Sequence, residues 1–282
     1  MGLAHQAPAK LLAMKSFTAA PRSPVLAAFV KSFHCHETDF PFMLERIVPN
    51  GRAHLMVNLG EDEFRTYDTV RPERMDRHSG AVLAGPHARP AVIDTQEQRW
   101  LAAVEFRGGA AGYFFSMPMT EVCDQMVQLD DLWGRDGALL RERLLGAATP
   151  ELKFHVFEEV LLRHLAPKFD PAIQHAIAAL KAGMPVSRVA SRLGLSARTL
   201  ARRFSNQVGI TPKRFARVLR LQRVLRAVRR SSEPDWCALA AEHGYADQAH
   251  LVHEFRELAD ITPSGYKPHS RQRNNHVPIA AP

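Results

Sequence analysis

From about residue 24 to residue 110, apolar and polar positions alternate over short runs, the period-two signature of strands. Residues 44–48 and 54–59 flank Asn50-Gly51, a hairpin-type turn dipeptide. Residues 81–83 and 91–94 flank a Gly85-Pro86 turn, and residues 100–106 alternate until Gly108-Gly109 ends the run. These runs predict a β-rich domain, a small barrel or sandwich. The period then lengthens. Met119, Val122, Cys123, Met126 and Val127 are spaced for a helix after Pro118, and residues 138–145 and 152–165 predict two amphipathic helices. Ala166-Pro167-Lys168 reads as a linker, and from Asp170 to about Lys267 the pattern is helical, punctuated by Gly, Pro and Ser. The first 15 residues and the last dozen read as mobile tails. The predicted fold class is α+β and multidomain, with a β-rich domain and trailing helices over 16–166 and an all-α domain over 168–269.

The helical region repeats itself. One block holds Gly194-Leu195-Ser196-Ala197-Arg198-Thr199-Leu200, Phe204 and Gly209-Ile210-Thr211-Pro212; a second holds Gly244-Tyr245, Ala246-Asp247-Gln248-Ala249-His250-Leu251, Phe255 and Ile261-Thr262-Pro263. In both, the Leu precedes the Phe by four residues and the Phe precedes Thr-Pro by seven and eight. Each block makes sense as a helix-turn-helix, predicted at about 186–208 and 235–258. In the first, Gly194 ends a short helix where a positive φ is needed, and Ser196 caps the next. Leu200 and Phe204 point inward, which leaves Arg198, Ala201, Arg202 and Ser205 outside, one turn apart. Thr211 caps a linker helix with Pro212 at its first position, running to about residue 229, about 26 Å at 1.5 Å per residue. That length can hold two recognition helices about one DNA turn apart.

Charge sharpens this picture. The 282 residues carry a net +8, but residues 1–167 hold 18 basic against 21 acidic side chains, while residues 168–270 hold 17 against 8. From Pro171 to Ser232 there are 14 basic residues and no acid, whereas residues 233–267 hold seven acids and two bases. A solvated surface normally mixes both signs, so a long acid-free stretch implies an anionic partner. Arginine suits the exposed face because one guanidinium can bond guanine O6 and N7 together. The bland reading of Arg217, Arg220, Arg223, Arg226 and Arg229 is a solvated helix face.

As a set, Ala190, Leu193-Gly194-Leu195-Ser196, Leu200, Arg203-Phe204, Gly209 and Pro212, then Ala240, Gly244-Tyr245, Phe255, Pro263 and Tyr266, resemble the AraC/XylS transcription regulators over about residues 170–268. The N-terminal part is similar, more loosely, to the cupin-like sensor domain some of them carry, through Val48-Pro49-Asn50-Gly51, residues 55–60, Phe106-Arg107-Gly108-Gly109-Ala110 and Leu129-Asp130-Asp131-Leu132-Trp133-Gly134. The resemblance implies binding to promoter duplex DNA and activation through RNA polymerase, switched by a small molecule or a protein signal; a homodimer is a further candidate partner. It places base-reading positions at Arg198, Ala201 and Arg202, and at Gln248, Ala249, Val252 and His253. Phosphate contacts are expected from Ser196, Thr199, Arg203, Lys213 and Arg214. Because Asp247, Glu254 and Glu257 would repel a phosphate backbone, the first unit is expected to supply most of the affinity; the acidic surface facing RNA polymerase is the alternative.

Other chemistry finds less support in the sequence. His34-Cys35-His36, with His54, His78 and His87 in the same domain, is the most ligand-like cluster, so a metal-dependent cupin-type enzyme or metal sensor fused to a DNA-binding tail is the competing reading. On a strand, however, His34 and His36 share one face, Cys35 takes the other, and no Glu follows at the spacing such barrels use. Asp130-Asp131 and Glu158-Glu159 are adjacent pairs whose side chains diverge, and no GxSxG, Walker loop or HExxH occurs. The expectation is no enzyme, no cofactor and no metal. Phe114-Phe115, Met117 and Met119 read as core before an effector pocket, and Cys123 and Cys237 as small buried residues. Three scattered cysteines, no signal peptide and no span of ~18 apolar residues point to a soluble, cytoplasmic protein without a membrane partner.

Overall fold

The computed structural model describes residues 15–40, 43–68, 71, 73–166, 170–229, 233–268 and 273–279. Pro167 and Lys168 of the expected linker, and residues 1–14 of the expected N-terminal tail, lie outside these. The N-terminal domain is built from β1 (Lys15–Ala19), α1 (Pro24–Ala27), β2 (Val30–Glu37), β3 (Leu44–Ile47), β4 (His54–Asn58), β5 (Glu63–Tyr67), β6 (Met75–Ser79), β7 (Ala81–Ala84), β8 (Ala91–Asp94), β9 (Trp100–Phe106) and β10 (Met126–Gln128). α2 (Leu129–Trp133), α3 (Arg135–Gly146) and α4 (Pro150–His164) follow. The helical domain comprises α5 (Pro171–Lys181), α6 (Val186–Arg192), α7 (Ala197–Val208), α8 (Pro212–Val228), α9 (Trp236–Glu242) and α10 (Gln248–Ala259), and the described chain ends in β11 (His276–Ile279).

The strands form two sheets, one ordered β1-β2-β9-β4-β7-β10 and the other β11-β3-β8-β5-β6. Alternation on the first sheet sorts its two faces. Phe33, Cys35, Leu55, Val57, Leu83, Ala102, Val104 and Phe106 join the core that includes Phe154 and Phe157 of α4, where Phe33 stacks on both rings with centroids 5.8 and 5.9 Å away. Met56, Val82, Leu101 and Ala103, on the other face, pack with Phe64 of the second sheet. Phe114, Phe115 and Met119 are buried in the helix-facing core, as expected of packing residues.

Several local expectations are corrected. Asn50-Gly51 does not close a hairpin, because β3 and β4 belong to different sheets and the turn carries the chain between them. Gly51 takes φ +68°, and a Cβ there would sit 3.3 Å from the Phe215 ring of α8, so the turn is shaped by the helical domain lying over it. The Gly85-Pro86 turn likewise links strands of opposite sheets. Residues 119–127 are not one helix: a 3₁₀ turn over Met119–Val122 gives way to β10. Asp124 at φ +56° breaks the helical path, and the edge of β7 recruits Met126–Gln128 as a strand.

The last dozen residues are not a free tail over the part described. β11 returns from the helical domain to pair antiparallel with β3 along the second sheet. Val277 is buried with Val48 and with Leu221, Val224 and Leu225 of α8. The imidazole Nδ1 of His276 lies 2.7 Å from the fully buried Glu45 carboxylate, and the Arg273 guanidinium lies 4.7 Å over the Phe40 ring. The Cys237 expectation also fails: that thiol is exposed at the start of α9, where the Asp235 cap fixes its backbone, and Cys123 is only half-buried. No helix among the described residues is long and apolar enough to cross a membrane.

Candidate nucleic-acid interface

The first helix-turn-helix is assembled as its local chemistry dictates. α6 buries Val189 and Ala190, Gly194 makes the turn at φ +64°, and the Thr199 N–H donates to Ser196 Oγ at 3.1 Å to cap α7. Leu200, Phe204 and Val208 form the buried stripe of α7, with the Phe204 ring meeting Phe215 of α8 edge-on at 5.4 Å. The opposite face is open. Arg198 and Arg202 are exposed one turn apart with Ala201 between them, and among the described residues neither guanidinium has a hydrogen-bonding or ionic partner. The hydroxyls of Ser196 and Thr199 bond each other at 2.9 Å beside the helix N-terminus, and Lys213 is exposed at the start of α8.

Two expected phosphate ligands are otherwise engaged. The Arg203 guanidinium is held bidentately by Asp170, the residue that caps α5, at 2.7–3.0 Å. Arg214 donates to the Ala88 carbonyl of the N-terminal domain at 2.6 and 3.1 Å, and to Glu257 at 2.6 Å.

The second unit repeats the plan with different side chains. Asp235 caps α9, Gly244 turns at φ +75°, and the His250 N–H donates to Asp247 Oδ1 at 2.7 Å to cap α10. Leu251, Phe255 and Leu258 are buried; Gln248, Ala249 and His253 are exposed, and Val252 is half-buried.

Two of the acids expected to oppose DNA are paired with arginines of the linker helix. Glu254 is only 2% exposed. It accepts from Arg217 Nε at 2.9 Å and from Arg220 Nε and Nη2 at 3.0 and 2.7 Å. Burial pushes its carboxyl upward, but the bonds from Arg220 and Arg217 outweigh that and hold it below the usual carboxylate range. Glu257 pairs with Arg214 and Arg217, and the Arg217 bond leads the effects that lower it to about 2. Arg220 also donates to the Gly244 carbonyl at 3.1 Å and lies 4.5 Å over the Tyr245 ring. So Arg217 and Arg220 are not a solvated face; they fasten the second unit to the linker helix. A signal for this existed in the sequence, since the acid-free stretch ends where the acid-rich one begins, but the partners could not be assigned from spacing alone.

The helical domain also rests on the N-terminal domain. Gln207, near the end of α7, donates to the Gly109 carbonyl at 3.1 Å, and Gln222 of α8 donates to the Pro49 carbonyl at 2.8 Å. Gly209, which ends α7 at φ +90°, packs so closely that a Cβ would stand 2.3 Å from Pro86 Cγ and 2.9 Å from the Met119 carbonyl oxygen. Between the domains lies a cleft of about 810 Å³, lined by residues 88–90, Thr120, Cys123 and Asp124 on one side and by parts of α7, α8 and α10 on the other.

The histidines of the competing reading are spread over several partners, and His34 Nε2 also lies 3.7 Å from the Glu105 carboxylate. His36 Nε2 lies 2.8 Å from the Gln98 carbonyl and His34 is held by Ser32 and Thr18, while burial lowers His54 to about 4. No group of three His, Cys, Asp or Glu side chains able to hold a metal occurs among the described residues.

Two capped helix pairs, each ending in an exposed second helix and both mounted on one linker helix, define the architecture of helix-turn-helix proteins that bind duplex DNA. Comparison agrees: residues 189–269 match the family model described as a helix-turn-helix domain. Residues 18–128 match a model described as a domain of unknown function (DUF6597). The chain thus carries a C-terminal helix-turn-helix domain joined to an N-terminal β domain. No curated protein matches the chain. Among solved structures, it is similar to a transcriptional regulator of Chromobacterium violaceum described as having an AraC-type DNA-binding domain, at 23% identity and a TM-score of 0.30 over 33% of this chain and 87% of that one. It is also similar to ToxT of Vibrio cholerae, at 10% identity and a TM-score of 0.44 over 91% of this chain and 98% of that one. A ToxT structure bound to (E)-4-(8-methylnaphthalen-1-yl)but-3-enoic acid gives the same identity, coverage and score.

Proposed function

We propose that this chain is a sequence-specific transcription regulator of the AraC/XylS type, in which the helical domain reads promoter duplex and the β domain controls it. The observation that carries this reading is the pair Arg198 and Arg202, two forked cations without an internal partner among the described residues, one turn apart on the exposed face of a capped recognition helix. Arg198, Ala201 and Arg202 read bases in one major-groove segment, and Gln248, Ala249, Val252 and His253 read the next, with fewer strong hydrogen bonds. Ser196, Thr199 and Lys213 contact phosphates. Arg203 and Arg214 can do so only by sharing or exchanging the partners Asp170, Ala88 and Glu257. Activation through RNA polymerase, a small-molecule effector, a homodimer and a cytoplasmic location belong to the same reading.

Selection from a random duplex library at fixed salt tests it. Wild type is expected to enrich a motif that Arg198→Ala/Arg202→Ala loses. If both proteins enrich one motif, or neither enriches any, the assignment of the first recognition helix fails.

A further inference from the structure

Both recognition helices reach the interdomain cleft with their last turns. Ser205 lies three and four residues beyond Arg202 and Ala201 on α7, and Arg256 lies three and four beyond His253 and Val252 on α10; both line the cleft. The third wall is not part of the helical domain at all. It is the loop carrying Arg89 and Pro90, together with Thr120, Cys123 and Asp124, from the N-terminal domain.

This loop is rigidly presented. Asp124 Oδ1 accepts the N–H groups of Ala88 at 2.6 Å and of Arg89 at 3.0 Å. Ala88 is buried in the core shared by α5, α6, α7 and α8, and its carbonyl is fixed by Arg214. The peptide preceding the Arg89 Cα is therefore held on both sides, its carbonyl by Arg214 of the helical domain and its N–H by Asp124, while the Arg89 side chain is exposed.

The lining holds three arginines, Arg89, Arg214 and Arg256, against three carboxylates, so what the cleft can attract depends on which of these groups are already paired. Each of its three carboxylates is already engaged. Asp124 holds the loop N–H groups, Glu257 is paired with Arg214 and Arg217, and Asp260 lies 3.1 Å from Arg46. Arg89 and Arg256, by contrast, have no side-chain partner among the described residues, and the hydroxyls of Ser205, Thr120 and Thr211 stand beside them. When two recognition helices enter successive major-groove segments on one face of a duplex, the sugar-phosphate backbone between those segments passes over whatever separates the helices. Here that is a cleft presenting two free guanidinium groups.

We propose that Arg89, from the N-terminal domain, and Arg256, from the end of α10, contact the DNA backbone between the two half-sites, so that the β domain forms part of the DNA-binding surface. This inference rests on the reading of the helical domain as a duplex binder. These contacts position the protein without reading sequence, and the Arg89 contact exists only while the N-terminal domain is docked against α7 and α8.

The test uses the full chain and fluorescein-labelled duplexes, one carrying the selected motif and one of random sequence, titrated by anisotropy across a salt series. Arg89→Ala and Arg256→Ala are each expected to weaken binding about 5-fold on both duplexes and to flatten the log–log salt dependence by about one unit, with the enriched motif unchanged. Arg89→Lys, which keeps the charge, is expected to restore most of the affinity. An Arg89→Ala protein that binds as tightly as wild type, or more tightly, with an unchanged salt slope overturns the proposal. If Arg198→Ala/Arg202→Ala abolishes binding in the same series, that failure is confined to the Arg89 and Arg256 contacts. A wild-type chain with no salt-sensitive duplex binding would remove the underlying reading as well.

Discussion

The two helix-turn-helix units share a backbone plan but use their charges in opposite ways. In the first, the exposed recognition face keeps Arg198 and Arg202 free, and the arginine that is neutralised, Arg203, is paired with Asp170 at the cap of α5. In the second, the exposed positions are Gln248, Ala249 and His253, while the acids Glu254 and Glu257 turn back to bind arginines of the linker helix. One unit therefore directs cations at a partner, and the other uses carboxylates as internal anchors. A count of charges along the chain misjudges the second unit, because Glu254 never meets the surface on which a phosphate would lie.

The largest break in this comparison should come from the first unit. Removing both guanidinium groups in Arg198→Ala/Arg202→Ala deletes two forked base contacts at roughly 2 kcal/mol each, so affinity for the selected duplex should fall by about 4 kcal/mol while folding is unaffected. Anisotropy titration together with a thermal melt checks both halves of that statement.

Next comes Glu254. Glu254→Ala leaves Arg217 and Arg220 facing a vacated, largely buried site and is expected to cost about 3 kcal/mol of stability in a denaturant titration. The Glu254 and Glu257 carboxyls titrate lower in the folded chain than in the unfolded one. The stability they contribute is thus present above the unfolded carboxyl value of about 4.3 and disappears as pH falls toward the folded values, about 2 for Glu257. Thermal stability of wild type should decline over that acidic window, and Glu254→Gln should decline less steeply.

The helix ends provide a smaller contrast. Both α7 and α10 finish on a left-handed residue, Gly209 in one and Asp260 in the other. Gly209 abuts Pro86 and the Met119 carbonyl, whereas Asp260 points its carboxylate at Arg46. Gly209→Ala should lower stability by about 2 kcal/mol, because strain at positive φ and the clash with Pro86 act together. Asp260→Gly should stay within about 0.5 kcal/mol of wild type, since relief of the positive φ offsets loss of a surface ion pair. Equal losses at the two positions would mean that the N-terminal domain does not constrain the end of α7.

The smallest effect is expected at the second recognition helix. Gln248→Ala should cost at most about 1 kcal/mol of affinity and relax selection at a single base pair, read from the same duplex library. A loss matching that of the first-unit double variant would reverse the ranking of the two units.

Much of this molecule was legible in its residues because the information is local. Gly194 before Ser196, Thr211 before Pro212, and the Leu-Phe spacing repeated fifty residues later specify caps, turns and buried stripes that need no distant partner, and the helix-turn-helix pairs follow from them. The exposed face of α7 could be named for the same reason: once Leu200 and Phe204 point inward, the helical period leaves Arg198 and Arg202 outside. Tertiary structure decided everything that depends on residues far apart in sequence. Asn50-Gly51 became a crossing between sheets rather than a hairpin, residues 276–279 became a strand on β3, and Arg203, Arg214, Arg217 and Arg220 were drawn into ion pairs with Asp170, Glu254 and Glu257. A side chain's periodicity fixes the direction in which it leaves its own helix. Whether it meets a carboxylate or open solvent there is set only when the domains close on one another.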